Sequence, residues 1–239
     1  MPAVPLVRGL FVTGTDTGVG KSVVAGAVLA GLAARGERVA AFKPAVTGLD
    51  DPPGEWPRDH QLLAAAAGAG QSPEDVCPHR FGPAASPHLA AEQVGEELNP
   101  DSLLAAAFAA AAGADALVCE GAGGLLVPLT ERFLVRDLAA ALGLPVVVAA
   151  RPGLGTINHT LLTLEAARAA DLEVAAVVLT PWPERPSAIE RSNRATLARL
   201  GAAPICTLAE VSPAGLHAAG ASLPLGHWLG DVGGTVRER

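Results

Sequence analysis

The stretch FVTGTDTGVGKS, residues 11–22, limits the fold of this chain more than any other. A run of β-forming apolar residues enters a turn with three glycines, a lysine and a hydroxyl, and a helical pattern runs on from Gly20 to Ala34. A strand that ends in such a turn and opens a helix aims several backbone N–H groups at one point, beside the positive end of the helix dipole. That arrangement cradles an anion. Lys21 would reach the terminal phosphates of a nucleotide, and Ser22 would offer its hydroxyl to Mg2+. An ordinary glycine turn capping a helix is the alternative, and strand, Gly-Lys-Ser and helix in succession weigh against it. Five residues separate Gly14 from Gly20, one more than the usual phosphate loop holds.

The other apolar runs repeat the strand–helix alternation. Strands are expected at residues 10–13, 39–42, 116–120, 145–150, 174–179 and 204–206. Helices are expected at 61–67, from Pro100 with Asn99 as N-cap, and at 133–143, 156–169 and 186–200. Residues 44–58 and 70–88, rich in proline and other turn formers, read as loops, and the tail from Ser212 fits no single reading. The strand runs are continuously apolar, as a parallel sheet covered on both faces requires. The fold class is therefore α/β: a doubly wound, mainly parallel sheet of the P-loop NTPase type, in one domain over residues 1–239. Ligands of such sheets bind at the carboxyl ends of the strands.

Half of the 239 residues are hydrophobic and 17% are charged, which is enough for a large core. The net charge of −7 and the lack of any basic cluster argue against general nucleic-acid binding. Cys77, Cys119 and Cys206 are widely spaced with no CxxC pair, a pattern of neither a disulfide framework nor a zinc site. The uncharged apolar stretch between Asp137 and Arg151 holds Gly143 and Pro145 and is too short to span a bilayer. The opening MPAVPLVRGLF lacks the long apolar run of a secretion signal. A cytoplasmic protein with neither membrane nor nucleic-acid partners is expected.

Seventeen residues are basic, yet only Lys21 and Lys43 are lysines. A lysine is a compact point charge where arginine is a planar fork. The two lysines are therefore candidates for places where the fork would not serve, with chance in a biased composition, and for Lys43 a solvated strand end, as the alternative; each also falls in a motif. Lys43 stands in FKPAVTG at the end of the second expected strand, on the rim that carries the phosphate loop, and Thr47 follows in the loop. In CEGAGG, residues 119–124, Glu120 ends a strand and the next glycines let a ligand approach the backbone. An acid so placed beside a phosphate loop serves Mg2+, with a helix-capping or salt-bridged glutamate as the alternative. Asp59 either starts a helix as its N-cap or faces that metal. GLGTINHT, residues 153–160, opens a helix whose N–H groups near Thr156 could bind another anion, such as a carboxylate. His60, His79, His217 and His227 show no metal spacing.

Together VTGTDTGVGKS, FKPAVTG, SPH at 86–88, CEGAGG with PL at 128, and GTINH resemble the dethiobiotin synthetases, from about Gly9 to Leu179. That family's loop carries five residues between its glycines, which accounts for the extra residue. The resemblance implies a homodimer with a seven-stranded, mainly parallel sheet. It implies ring closure on 7,8-diaminopelargonate: one amine takes up CO2 (or bicarbonate) as a carbamate, ATP phosphorylates the carbamate, and the second amine displaces phosphate. Carried over residue by residue, Lys43, Lys21 and Thr17 are catalytic. Gly18, Val19, Gly20, Lys21, Ser22, Val23, Asp59, Glu120, Gly121, Ala122 and Gly123 hold the nucleotide. Ser22, Asp59 and Glu120 hold Mg2+. Thr47, Gly123 and Gly155 to Asn158 (with Thr156 and Ile157 between) bind the substrate, the last four reaching its carboxylate across a dimer interface.

The chain departs from the family at two points. Gly18 stands where many members carry a glutamate, so any role of that side chain is absent. Thr180 and Pro181 stand where the family commonly reads adenine with an Asn-Asp pair, and threonine cannot supply a carboxamide's paired donor and acceptor. Relaxed choice of nucleoside triphosphate is therefore expected, with Trp182 as a possible stacking surface or, more in keeping with its position, a packing residue. Partition and septum-positioning ATPases need a lysine early in the loop, where this chain has Thr15, Asp16, Thr17 and Gly18. Cobyrinate amidotransferases need a glutaminase domain for which too few residues follow Leu179.

Overall fold

Valine, leucine and alanine fill six strands: β1 (Gly9–Gly14), β2 (Val39–Phe42), β3 (Ala116–Gly124), β4 (Val146–Ala150), β5 (Val174–Trp182) and β6 (Ile205–Ala209). They come from a computed structural model that describes residues 8–230 apart from Pro53 and Ala69. Residues 1–7, most of the stretch read for a secretion signal, and the last nine residues of the tail lie outside the described residues. Between the strands run α1 (Lys21–Ala33), α2 (Asp59–Ala67), α3 (Pro73–Val76), α4 (Pro87–Gln93), α5 (Pro100–Ala111), α6 (Val135–Leu142), α7 (Thr156–Arg168) and α8 (Ala188–Leu200). After β6 come a 3-10 turn at Pro213–Gly215, α9 (Leu216–Ala221) and α10 (Leu225–Trp228).

The strands pair in the order β2-β3-β1-β4-β5-β6, and every pairing is parallel. This corrects the family-based expectation of seven strands: among the described residues the sheet has six, none antiparallel. Successive residues of a strand face opposite sides, and here both sides are buried. Leu10, Val12, Val39, Ala41, Ala116, Val118, Val147 and Val178 pack under α1, α2, α9 and α10. Phe11, Phe42, Leu117, Cys119, Val148 and Val177 pack under α5 to α8. Two covered faces explain why the strand sequences read as unbroken apolar runs.

The expected helix starts hold where a cap sets them. Asn99 accepts a hydrogen bond from the Ser102 amide at 3.0 Å and opens α5. Gly143 closes α6 in the left-handed region, with φ 64°. The stretch 70–88, expected as loop throughout, instead holds α3 and the start of α4. Its prolines look like breakers, but Pro73 and Pro87 follow Ser72 and Ser86 and stand at the first helical position, where a missing N–H costs nothing. The unassigned tail from Ser212 supplies the 3-10 turn and the two short helices over α1.

Candidate active site

Lys43 and Glu120 meet because of strand parity. β2 and β3 run in register, with Val39 opposite Ala116, Ala41 opposite Val118 and Phe42 opposite Cys119. One step further brings Lys43 level with Glu120. Both continue the row of Val39, Ala41, Ala116 and Val118, so both side chains project to the face that carries α1 and α2. There the Lys43 Nζ lies 2.8 Å from Glu120 Oε1 and 3.0 Å from Asp59 Oδ2. It also donates to the Gly121 carbonyl at 3.4 Å.

Ser22, at the start of α1, completes the cluster. Its Oγ lies 2.7 Å from Asp59 Oδ1 and 2.9 Å from Glu120 Oε1. A hydroxyl has one proton to donate, so one of those two contacts between oxygens has no proton in it. Glu120 Oε2 is buried with no hydrogen-bond partner among the described residues. Three oxygens placed this way fit a small hard cation that takes one or two carboxylates and leaves its other positions to water and phosphate. Among the described residues no three His, Cys, Asp or Glu side chains gather as an all-protein metal cage. Asp59 is the first residue of α2, with Arg58 as the N-cap, so its carboxylate is free of capping and turns to Lys43 and Ser22.

Charge is shared unevenly in this cluster. Burial works to lower the Lys43 pKa, but Asp59 and Glu120 together outweigh it and raise the pKa above the ordinary lysine value. Lys43 is an ammonium at any physiological pH. The same contact with Lys43 holds Asp59 down to about 2. Glu120 goes the other way: complete burial pushes it up, against the pull of Lys43. Burial also lowers Lys21, with Lys43 adding to the effect and Glu120, Asp59 and Asp16 opposing it.

The phosphate loop wraps tightly around Lys21. A Cβ on Gly14 would come within 2.7 Å of Val19 Cγ2 and 2.9 Å of Lys21 Cγ, so only glycine lets the lysine stem lie there. Gly18 and Gly20 have φ of 70° and 91°. The Lys21 Nζ donates to the Asp16 carbonyl at 2.9 Å, and Asp16 Oδ1 accepts from the Thr17 amide at 2.7 Å. The Asp16 carboxylate also pairs with Arg151 at 3.0 Å, tying the loop to the end of β4.

A cleft of about 830 Å³ opens above this cluster. Thr17, Gly18, Gly20, Lys21, Ser22 and Val23 form its phosphate-loop side. Lys43, Thr47, Asp59, Ala122 and Gly123 also line it. Three expected residues reach it only indirectly: the Val19 side chain is in the core under α1, Glu120 is buried beneath Lys43 and Ser22, and Gly121 offers its carbonyl to Lys43. Gly155, Thr156, Ile157 and Asn158 do not line the cleft of their own chain. They open α7, where Gly155 and Asn158 are exposed and Thr156 is buried against Thr160. Thr180 is buried, and its methyl stands 2.7 Å from where a Cβ on Gly20 would be. Trp182, partly buried, packs against the core under α5 to α8.

Residue-by-residue reading did not find Arg58, Trp56 or the wall at 84–87, all of which line the cleft. The SPH motif belongs to that wall, with Ser86 Oγ 3.0 Å from His88 Nδ1.

A family model described as an AAA domain, AAA_26, matches residues 8–214. The ATP-dependent dethiobiotin synthetase BioD of Anaeromyxobacter dehalogenans strain 2CP-1 is 48% identical over 194 residues, 81% of this chain and 86% of that protein. The chain belongs to the dethiobiotin synthetase family. The enzyme of the same name from Anaeromyxobacter sp. strain Fw109-5 is 45% identical over 206 residues, 86% of this chain and 91% of that one. That of Bacillus subtilis strain 168 is 34% identical over 199 residues, 83% and 85% of the two chains. Among solved structures, the signal recognition particle receptor FtsY of Elizabethkingia anophelis overlays at a TM-score of 0.48 and 13% identity, over 95% of this chain and 65% of that one. As a dethiobiotin synthetase family member the chain is a ligase of α/β fold, and no helix among the described residues is long and apolar enough to cross a membrane.

Proposed function

We propose that the chain closes the ureido ring of dethiobiotin from 7,8-diaminopelargonate, CO2 and ATP, by phosphorylating a carbamate of the diamine. The observation that carries this reading is the buried Lys43 ammonium, held by Asp59 and Glu120 beside the hydroxyl of the phosphate-loop residue Ser22. In the phosphoryl transfer the carbamate oxygen attacks the γ-phosphorus, the bond to the β,γ-bridging oxygen breaks, ADP leaves with that electron pair, and negative charge spreads over both groups. Lys21 and Lys43 neutralise that charge, and fixed charges in a shielded site lower the barrier more than mobile ones in water. Ring closure follows when the second amine attacks the carbamoyl carbon and inorganic phosphate leaves with the C–O electron pair.

Ser22, Asp59 and Glu120 would hold Mg2+, which when bound draws charge from the nucleotide's phosphate oxygens. The backbone of Gly18 to Val23 and of Gly121 to Gly123 would cradle those phosphates, with Thr17 at the loop's edge. Thr47 would contact the diamine. A cytoplasmic homodimer is part of the proposal, because Gly155 to Asn158 stand away from their own cleft and a second copy could bring them to the substrate carboxylate.

Phosphate release on adding diaminopelargonate and bicarbonate to enzyme, ATP and Mg2+ is the direct test. Release that needs both co-substrates supports the reading, and ATP hydrolysis indifferent to them sinks it. The base is a separate matter. Thr180 turns its methyl to Gly20 and offers no carboxamide, so kcat/KM for ATP over CTP and GTP should differ by less than about a hundredfold. A larger preference would mean that another group reads adenine.

A further inference from the structure

The guanidinium of Arg58 donates to the backbone of the loop that carries Thr47. Its Nη1 donates to the Gly48 carbonyl at 3.0 Å and its Nη2 to the Leu49 carbonyl at 3.3 Å. Nη2 donates also to the Asp51 carbonyl. Gly48, with φ 78°, makes the turn that sends these carbonyls to one point. On its other side the same loop is laced to residues 79–83: the amides of Gly48, Leu49 and Asp50 donate to the carbonyls of Pro83, Phe81 and Gly82 at 2.9, 3.2 and 3.0 Å. Asp50 fills the space beside Gly82, where a Cβ would come within 2.4 Å of its carboxylate oxygens.

Arg58 is also the N-cap of α2. Its amide donates to Gln61 Oε1 at 3.2 Å, which sets the first turn of that helix, and the next residue is Asp59. One residue therefore joins two parts of the cleft: Thr47's loop through its side chain, and the Asp59–Lys43–Ser22 cluster through its backbone.

We infer that Arg58 is a positioning residue that holds the Thr47 loop in its binding shape against the lysine cluster, and so sets the affinity of the cleft for the diamine rather than for the nucleotide. Holding a loop in its bound form before the ligand arrives removes an ordering cost from binding. The planar fork is what the task requires. Three carbonyls converging on one group can be met by a guanidinium's fixed donors, whereas an ammonium meets them as a single point. The phosphate loop lies on the other side of the cluster and has its own fastening, the Asp16–Arg151 pair.

This inference rests on the proposed diamine reaction, and its test separates the two. Arg58→Ala and Arg58→Lys are compared with wild type in diamine-dependent phosphate release, in ATP binding without diamine, and in hydrogen exchange at the amides of Gly48, Leu49 and Asp50. The expected result is a fall of about a hundredfold in kcat/KM for the diamine in both variants, as a misplaced binding group causes. ATP affinity should stay within about twofold, and the three loop amides should exchange faster while those of the phosphate loop keep their rates. Wild-type diamine kinetics in Arg58→Ala would overturn the inference, as would equal losses toward diamine and ATP, full rescue by lysine, or loop amides that exchange at the wild-type rate. If wild type shows no diamine-dependent release, the reaction has failed, and the exchange measurement still decides whether Arg58 fastens the loop.

Discussion

Lys43 shows how one side chain can be both a structural and a chemical necessity. It is nearly inaccessible, and it meets two carboxylates at 2.8 and 3.0 Å. A guanidinium is broader than an ammonium and would have to displace Asp59 or Glu120 to fit. Lys43→Arg should therefore cost the reaction about 2.7–4 kcal/mol of barrier, the usual loss for one fixed electrostatic donor, with nucleotide affinity near wild type. Single-turnover phosphate release and equilibrium nucleotide binding check this, and near-normal turnover would remove Lys43 from the chemistry. The cysteines make a contrasting case. Burial pushes Cys77 up to about 12 and Cys119 higher still, and both are fully buried, whereas Cys206 is only partly buried, though burial raises its thiol too. Thiolate is the reactive form, so a thiol reagent near pH 8 should modify Cys206 at most in the native protein and all three cysteines in denaturant. At this scale much was legible in the sequence. The scarcity of lysine singled out Lys21 and Lys43, and Glu120 stood out as an acid ending a strand. Their contact was not legible, because it depends on the register of β2 against β3, and periodicity within one strand carries no register between two. Arg58 left no trace, since its partners are carbonyls, which every residue has.

Elements of this protein succeed where their ends are chemically marked. β2 is the exposed problem: it is an edge strand, and Ala41 at its centre has no strand on its outer side. Gln71 stands in for one. Its Oε1 accepts from the Ala41 amide at 2.7 Å and its Nε2 donates to the Ala41 carbonyl at 3.2 Å, as a neighbouring strand would. Gln71→Ala leaves both backbone groups of a buried residue without these partners. An orphaned buried polar group costs about 1–3 kcal/mol, so chemical denaturation should show a loss in that range, while an exposed substitution such as Glu92→Ala should change stability by less than about 0.5 kcal/mol. A Gln71→Ala protein as stable as wild type would mean that water replaces the amide without loss. The same logic explains which elements could be read in advance. β1, β3, β4 and β5 carry long apolar runs, and α5 and α6 carry a marked start or stop. α3 and α4 are only four and seven residues long, too short for a helical period to emerge, and their N-terminal prolines look like loop.

Across the whole molecule, the helix that follows the phosphate loop is clamped between the sheet and the chain's last described helices. α1 has glycines at 26 and 31 on the side that meets α9 and α10. A Cβ on Gly26 would come within 3.1 Å of Leu216, and one on Gly31 within 2.8 Å of Leu225 and 2.9 Å of the Gly220 backbone. The tightest point is Gly220 itself, where a Cβ would fall 2.1 Å from the Ala27 carbonyl oxygen and 2.7 Å from Gly31 Cα. Backbone meets backbone there, so no side chain can rotate away. The family model ends at residue 214, just before this segment, yet Leu216, Leu225 and Trp228 belong to the same buried cluster as Val24 and Val28 of α1. Gly220→Ala must push α9 off α1, and forcing one extra carbon into a packed contact costs about 1–3 kcal/mol. For a chain of this size about 1 kcal/mol lowers Tm by about 2–4 °C. The expected outcome is a Tm several degrees below wild type, with the emission of the buried Trp228 shifted towards that of a wetter environment. Gly54→Ala, where no atom lies within 4 Å of the added carbon, serves as the control and should melt like wild type. Because α1 begins at Lys21 and Ser22, the displacement should also weaken nucleotide binding without touching a single residue of the cleft. A Gly220→Ala protein with wild-type Tm would mean that the segment from 216 to 228 packs loosely, and that α1 owes its place to the sheet alone.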